Sequence, residues 1–231
     1  MQYKHLFFDL DHTLWDFEAN SRQTLREMYH TLQLKERGVT DFDPFYQNYI
    51  VHNDKLWERY RNGYIKVDEL RWKRMWLTLL DFKIGDERLA REMDKQFLDA
   101  LPTRNILFPY TIEILDYLTG KGYRLHLITN GFEKTQLSKL QHAGIDNYFG
   151  EVITSERANS LKPHKEIFDY ALQQTGAEPA ESIMLGDNVE ADIQGAINAG
   201  IDQVYVNHLG VDPTIRPTYT VYSLKELETI F

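Results

Sequence analysis

Two textures divide this chain, and the division restricts what it can fold into. From Pro109 onward, short strand-like runs alternate with helical stretches. Tyr123–Thr129 reads as a strand, followed by a helix over Glu133–Ala143 closed by Gly144. Glu151–Thr154 is a short strand. Pro163 is expected just inside a helix that reaches Gln174, with Gly176 past its end, the usual placement of Pro and Gly at helix termini. Ser182–Leu185, a helix over Glu190–Ala199, Val204–Asn207 and Tyr219–Tyr222 complete the set. Such alternation specifies a doubly wound, Rossmann-like parallel α/β sheet. Residues 15–105 carry almost no strand signal. Leu25, Met28, Tyr29 and Leu32 share a helical face there, as do Trp72, Trp76 and Leu79–Leu80, and Gly38, Gly63 and Gly85 punctuate the stretch into several helices. The apolar run Leu6-Phe7-Phe8 belongs with the later strands. The expected organisation is therefore a core of 1–14 plus 106–231, interrupted by an all-helical insertion over 15–105.

That first strand ends in Asp9-Leu10-Asp11-His12-Thr13. Ligands of open α/β sheets bind at the carboxyl ends of the strands, so two acids are delivered to the binding edge. Like charges this close raise one another's pKa unless a cation joins them, which points to a divalent metal and to acid chemistry. Three further polar signals fall at strand ends or just beyond them: Thr129-Asn130-Gly131, Lys162-Pro163 at the start of the helix after the third strand, and Gly186-Asp187 followed by Glu190 and Asp192. Each is weak alone; Asp and Thr are also common turn and cap residues. In this order, at these edges, they converge on one crevice. Asp9 can attack phosphorus as a nucleophile, and Asp11 can protonate the leaving group and later take a proton from water. Asp187 adds a carboxylate, and hard oxygen ligands beside a phosphate favour Mg2+. Lys162, Thr129 and the main chain around Asn130 and Gly131 supply positive charge and donors for phosphoryl oxygens.

Composition sets the outer bounds. The 231 residues carry 26 basic and 35 acidic side chains, a net charge of −9, which argues against a nucleic-acid polymer or a membrane surface as partner. With no cysteine, disulfides and thiol catalysis are excluded. The N-terminal apolar run is too short for a signal peptide, and cytoplasm is the default expectation. The expected partner is a small phosphorylated metabolite, and the sequence leaves the oligomeric state open.

On these residues the chain resembles the haloacid dehalogenase superfamily. Asp9-x-Asp11-x-Thr13 looks like its first motif, Thr129 its second, Lys162 its third, and Gly186-Asp187 with Asp192 its fourth. The resemblance implies Asp9 as nucleophile and Asp11 as acid/base that also holds Mg2+ through its carbonyl. It implies Asp187 as a further metal ligand, Asp192 in an outer acidic role that Glu190 contests, and residues 15–105 as a cap domain. Dehalogenating members lack an acid at the position of Asp11, so a phosphatase is implied. Within the superfamily the chain is similar to the YjjG-type pyrimidine 5′-nucleotidase branch, through Asn53-Asp54-Lys55-Leu56-Trp57, Tyr60-Arg61-Asn62-Gly63, Ile128-Thr129-Asn130-Gly131-Phe132 and Asp192–Gly200. Phosphatases of N-acylneuraminate 9-phosphate or phosphoglycolate are the enzymatic rivals, with phosphomutases a further possibility. A phospho-receiver or a binding module without turnover is the alternative outside catalysis. Trp15, Trp57 and Phe132 are candidate substrate contacts. For Trp57, with Tyr60 and Tyr64 at helical spacing, ordinary packing is the preferred reading.

Overall fold

The computed structural model describes residues 2–231. Contacts divide the chain into two compact units, one comprising residues up to Phe17 with Arg104–Phe231, the other Glu18–Thr103. Trp15, Asp16, Phe17, Arg104 and Asn105 thus pack with the first unit.

The first unit is built on a six-stranded sheet whose strands all run parallel. Its strands are β1 (His5–Phe8), β2 (Arg124–Thr129), β3 (Phe149–Thr154), β4 (Ser182–Gly186), β5 (Asp202–Val206) and β6 (Tyr219–Val221), in the order β3-β2-β1-β4-β5-β6. Every residue of β1 is buried, as expected of a central strand covered on both faces. Phe7 sits in an apolar cluster with Ile128, Ile153 and Met184 from the neighbouring strands. The helix Lys165–Thr175 contributes Ile167, Phe168 and Ala171 to that cluster. Beyond β1, the order reverses between β1 and β4. That is the topological switch point at which ligands of doubly wound sheets bind.

The other unit holds four helices: α1 (Phe17–Thr31, which begins in the first unit), α2 (Phe42–Arg61), α3 (Val67–Asp81) and α4 (Glu87–Ala100). Leu25, Met28 and Tyr29 are buried on α1 as the spacing predicts. On α3 the buried face is Leu70, Arg74, Met75, Thr78 and Leu79 instead. Leu80 is exposed, and Trp72 and Trp76 lie half-buried on a flank, where the Arg91 guanidinium covers the Trp72 ring at 4.2 Å. Arg74 occupies the place expected for an aromatic. It donates from Nη1 to Asn53 Oδ1 at 3.2 Å, faces Asp94 at 3.7 Å and lies over the Phe97 ring.

The remaining helices of the sheet unit are α5 (Thr111–Gly120), α6 (Glu133–Ala143), α7 (Ser155–Ala158), α8 (Lys165–Thr175) and α9 (Gly195–Asn198). Two expectations change here. Pro163 precedes α8 rather than opening it, because the main chain of Lys162 is bound to another segment. The helix expected over Glu190–Ala199 is a π-helical segment, Val189–Gln194, running into α9. No helix among the described residues is long and apolar enough to cross a membrane.

Candidate active site

The site grows from the carboxyl end of β1. Asp9 follows the strand directly, and its N–H is donated to Leu185 O of β4 at 2.8 Å. The Leu10 carbonyl then accepts from Leu14 and Trp15 at 3.0 and 2.9 Å, turning the chain sharply, with His12 in the left-handed region at φ 63°. The turn buries Thr13, whose hydroxyl donates to Asp187 Oδ1 at 3.0 Å. His208, stacked on Phe108, lies 3.1 Å from the Thr13 carbonyl through Nε2.

Lys162 is 2% exposed, and its ammonium is saturated. It donates to Asp9 Oδ1 and Asp192 Oδ1, both at 2.6 Å, and to Ile128 O at 2.7 Å, which accounts for all three N–H bonds. Burial alone would lower its pKa, but the carboxylates of Asp192 and Asp9 outweigh that and push it up. Asn130 fixes the same residue from outside. It accepts from Lys162 N at 2.7 Å and donates to Lys162 O at 2.9 Å. The Asn130 side chain is therefore spent on positioning the lysine.

Asp9, Asp187 and Asp192 each bring a carboxylate oxygen within 4.8 Å of the others. Three carboxylates thus face one ammonium. Burial, followed by the neighbouring acids, raises the pKa of Asp9 despite Lys162, and burial with Asp192 raises that of Asp187. Such a cluster is under electrostatic stress that a cation relieves. The donor set, all hard oxygen, fits Mg2+. Asp192 is 1% exposed, and its Oδ2 accepts from Asn188 N at 2.9 Å, whereas Glu190 is exposed on the other side of the turn. A Cβ on Gly186 would lie 2.3 Å from Asp192 Oδ2, so glycine at the end of β4 makes the room in which Asp192 reaches Lys162.

Asp11 is not in this cluster. Its Oδ1 accepts from Lys139 Nζ at 2.6 Å and its Oδ2 from Gln136 Nε2 at 2.9 Å. Burial would raise its pKa, yet the Lys139 ammonium and the bonds from Lys139 and Gln136 hold the carboxyl below the usual range. Gln136 also donates to Thr129 Oγ1 at 2.7 Å, and Gly131 N donates to the same oxygen at 3.1 Å. With both acceptor positions of that hydroxyl filled, its own hydrogen remains available as a donor. A Cβ on Gly131 would lie 2.0 Å from Gln136 Nε2, so Gly131 accommodates this amide. Sequence reasoning misses Gln136 and Lys139. The available signal is that both share the buried face of α6 with Leu140, where apolar residues are expected.

Of the proposed substrate contacts, Trp15 is fully buried. Its Nε1 donates to Arg104 O at 3.3 Å and its face carries the Lys139 ammonium at 4.3 Å, so it packs the turn rather than facing a ligand. Phe132 is half-buried at the N-cap of α6, and Trp57 is half-buried against Tyr60 on α2.

A family model for haloacid dehalogenase-like hydrolases matches residues 3–200. Pyrimidine 5′-nucleotidase PynA of Streptococcus pneumoniae is 34% identical, covering 98% of this chain and 94% of the relative. Pyrimidine 5′-nucleotidase YjjG of Escherichia coli is 33% identical, with coverages of 100% and 98%. Among solved structures, the putative HAD-hydrolase YfnB of Bacillus subtilis, described as magnesium-bound and as revealing interdomain movement, superposes with a TM-score of 0.89 at 25% identity, covering 100% of this chain and 99% of its own.

Proposed function

The chain belongs to the haloacid dehalogenase-like hydrolases, and from that membership we propose that it hydrolyses phosphomonoesters through a phosphorylated Asp9, with pyrimidine nucleoside 5′-monophosphates as preferred substrates. The observation that carries the reading is the segregation of the two motif acids. Asp9 lies among Lys162, Asp187 and Asp192, while Asp11 is held apart by Lys139 and Gln136. The two surroundings by themselves favour the protonated form of Asp9 and the ionised form of Asp11, so the assigned roles call for a cation that keeps Asp9 ionised and for proton uptake by Asp11. In the first step an Asp9 oxygen bonds to phosphorus as the bond to the alkoxy oxygen breaks, and Asp11, whose ionised form Lys139 and Gln136 favour in the resting site, must first take up a proton, which it then gives to that oxygen. In the second, water attacks the phosphorus, Asp11 takes a proton from it, and Asp9 leaves as a carboxylate with inorganic phosphate. The Thr129 hydroxyl donates to the phosphoryl oxygens, and the Lys162 ammonium, whose three N–H bonds are already spent, adds positive charge beside them, where charge is stabilised in the transition state. Asp9, Asp187 and the Asp11 carbonyl would hold Mg2+, with Asp192 behind them. The ion's chemistry there is to neutralise phosphoryl charge that three carboxylates would otherwise repel.

The nucleotide part of the reading is supported by the two pyrimidine 5′-nucleotidases at 33–34% identity over nearly their whole length. Mg2+-dependent phosphate release over a panel tests it: nucleoside monophosphates, sugar phosphates, phosphoglycolate and an N-acylneuraminate phosphate, with Asp9→Asn as control. A kcat/KM preference for pyrimidine monophosphates, absent in Asp9→Asn, is expected. A sugar phosphate as best substrate overturns the substrate class, and normal turnover by Asp9→Asn overturns the nucleophile.

A further inference from the structure

The contacts of Asp11 go beyond anything the motif requires. Both of its oxygens are taken, each by a different residue of α6, one turn apart on the helix. Gln136 is fully buried and Lys139 is 3% exposed, so neither bond is a fluctuating surface contact. Both donors are in turn restrained. The Gln136 amide bridges Asp11 and Thr129, and its Cγ–Nε2 end fills the space over Gly131. The Lys139 ammonium rests on the buried Trp15 ring at 4.3 Å. A carboxylate with two fixed donors has little torsional freedom left.

We propose that Gln136 and Lys139 are a positioning pair for Asp11, fixing the direction of its carboxyl relative to the reacting oxygen. Neither residue touches substrate; each acts through Asp11. General acid catalysis depends on the acid being within hydrogen-bond reach of the departing oxygen, and small misplacements are costly. The inference rests on the assignment of Asp11 as the acid, so its test separates the two.

The readout is kcat/KM, which ends at the first irreversible step and does not register later hydrolysis of phospho-Asp9. Two substrates are compared: the best alkyl phosphate of the panel, whose alkoxide needs a proton to leave, and p-nitrophenyl phosphate, whose phenolate leaves without one. In Gln136→Met and in Lys139→Met, kcat/KM for the alkyl phosphate is expected to fall roughly 10- to 100-fold, part of the 10²- to 10⁴-fold that a general acid typically contributes. The value for p-nitrophenyl phosphate is expected to change less than about threefold. Asp11→Asn should show the same selectivity, more strongly. Equal losses on both substrates in the two α6 variants, or no loss, overturn the positioning role while leaving Asp11 as the acid. A nonselective Asp11→Asn overturns the assignment of the acid and the positioning role together. If Lys139→Met fails to fold, Gln136→Met carries the test alone, because a methionine is close in volume to the glutamine it replaces.

Discussion

Gly131 is small because of Gln136, a residue five positions ahead of it. Placing a methyl there drives the amide off both Thr129 and Asp11, since the Cβ would stand 2.0 Å from Nε2, and the buried side chain has nowhere to retreat. Gly131→Ala is therefore expected to lower kcat/KM for an alkyl phosphate at least tenfold, while overpacking costs about 1–3 kcal/mol of stability by urea denaturation. A variant with native turnover would show that the amide is free to move. The residue scale is also where sequence reasoning runs out. Asp9 and Asp187 are legible because each sits at a predicted strand end, and Lys162 because it precedes Pro163 at a predicted helix start. Gln136 and Lys139 are not, because they find Asp11 across 125 and 128 residues, and no local pattern encodes that partnership. Asn130 shows the same limit: its place at the edge is legible, but its commitment to the Lys162 main chain is a contact over 32 residues.

Among the elements, strands were the easier part to read, since a short apolar run bounded by polar residues has few other fates in a soluble protein. The segment after β4 was harder: π-helical winding over Val189–Gln194 accompanies an Asn188 cap and a carboxylate turned inward to Lys162, both tertiary demands. The pairing of β1 with β2 produces one feature that periodicity does not announce, a buried, stacked imidazole pair, with His5 Nδ1 3.1 Å from His126 Nε2. Burial, then the neighbouring imidazole and Arg124, push the His126 pKa down to about 4, and burial with Arg124 lowers that of His5. His126 is thus neutral in the fold down to about pH 4. The unfolded chain binds a proton on this residue from about pH 6.5 downward while the folded one does not. Stability from this pair is complete above about pH 6.5 and is lost as pH falls toward about 4. Replacing His126 with Leu should flatten this part of the profile. Melting temperatures of the wild type and His126→Leu at pH 7 and pH 4.5 check it, and parallel declines would dismiss the pair as the cause.

For the molecule as a whole, the acidic cluster is expected to tie stability to metal. With Asp9, Asp187 and Asp192 facing one lysine, a bound divalent cation stabilises the fold by mass action. At a hundred times the dissociation constant that amounts to about 2.7 kcal/mol, or roughly 5–10 °C in Tm for a chain of this size. Asp187→Asn removes one of the repelling charges. It is expected to melt no lower than the metal-free wild type, to lose the Mg2+-induced rise, and to lose turnover. A wild-type Tm indifferent to Mg2+ would remove the metal from this site. The central place of β1 has a temporal consequence as well. Its four residues leave the ribosome well before their partners, residues 124–127 on one side and 182–185 on the other. At about 5–20 residues per second the second partner follows after roughly 10–35 s. In that interval the whole of Glu18–Thr103 has been made, so the inserted helices can fold while the strand that leads into Asp9 still waits for a sheet to join.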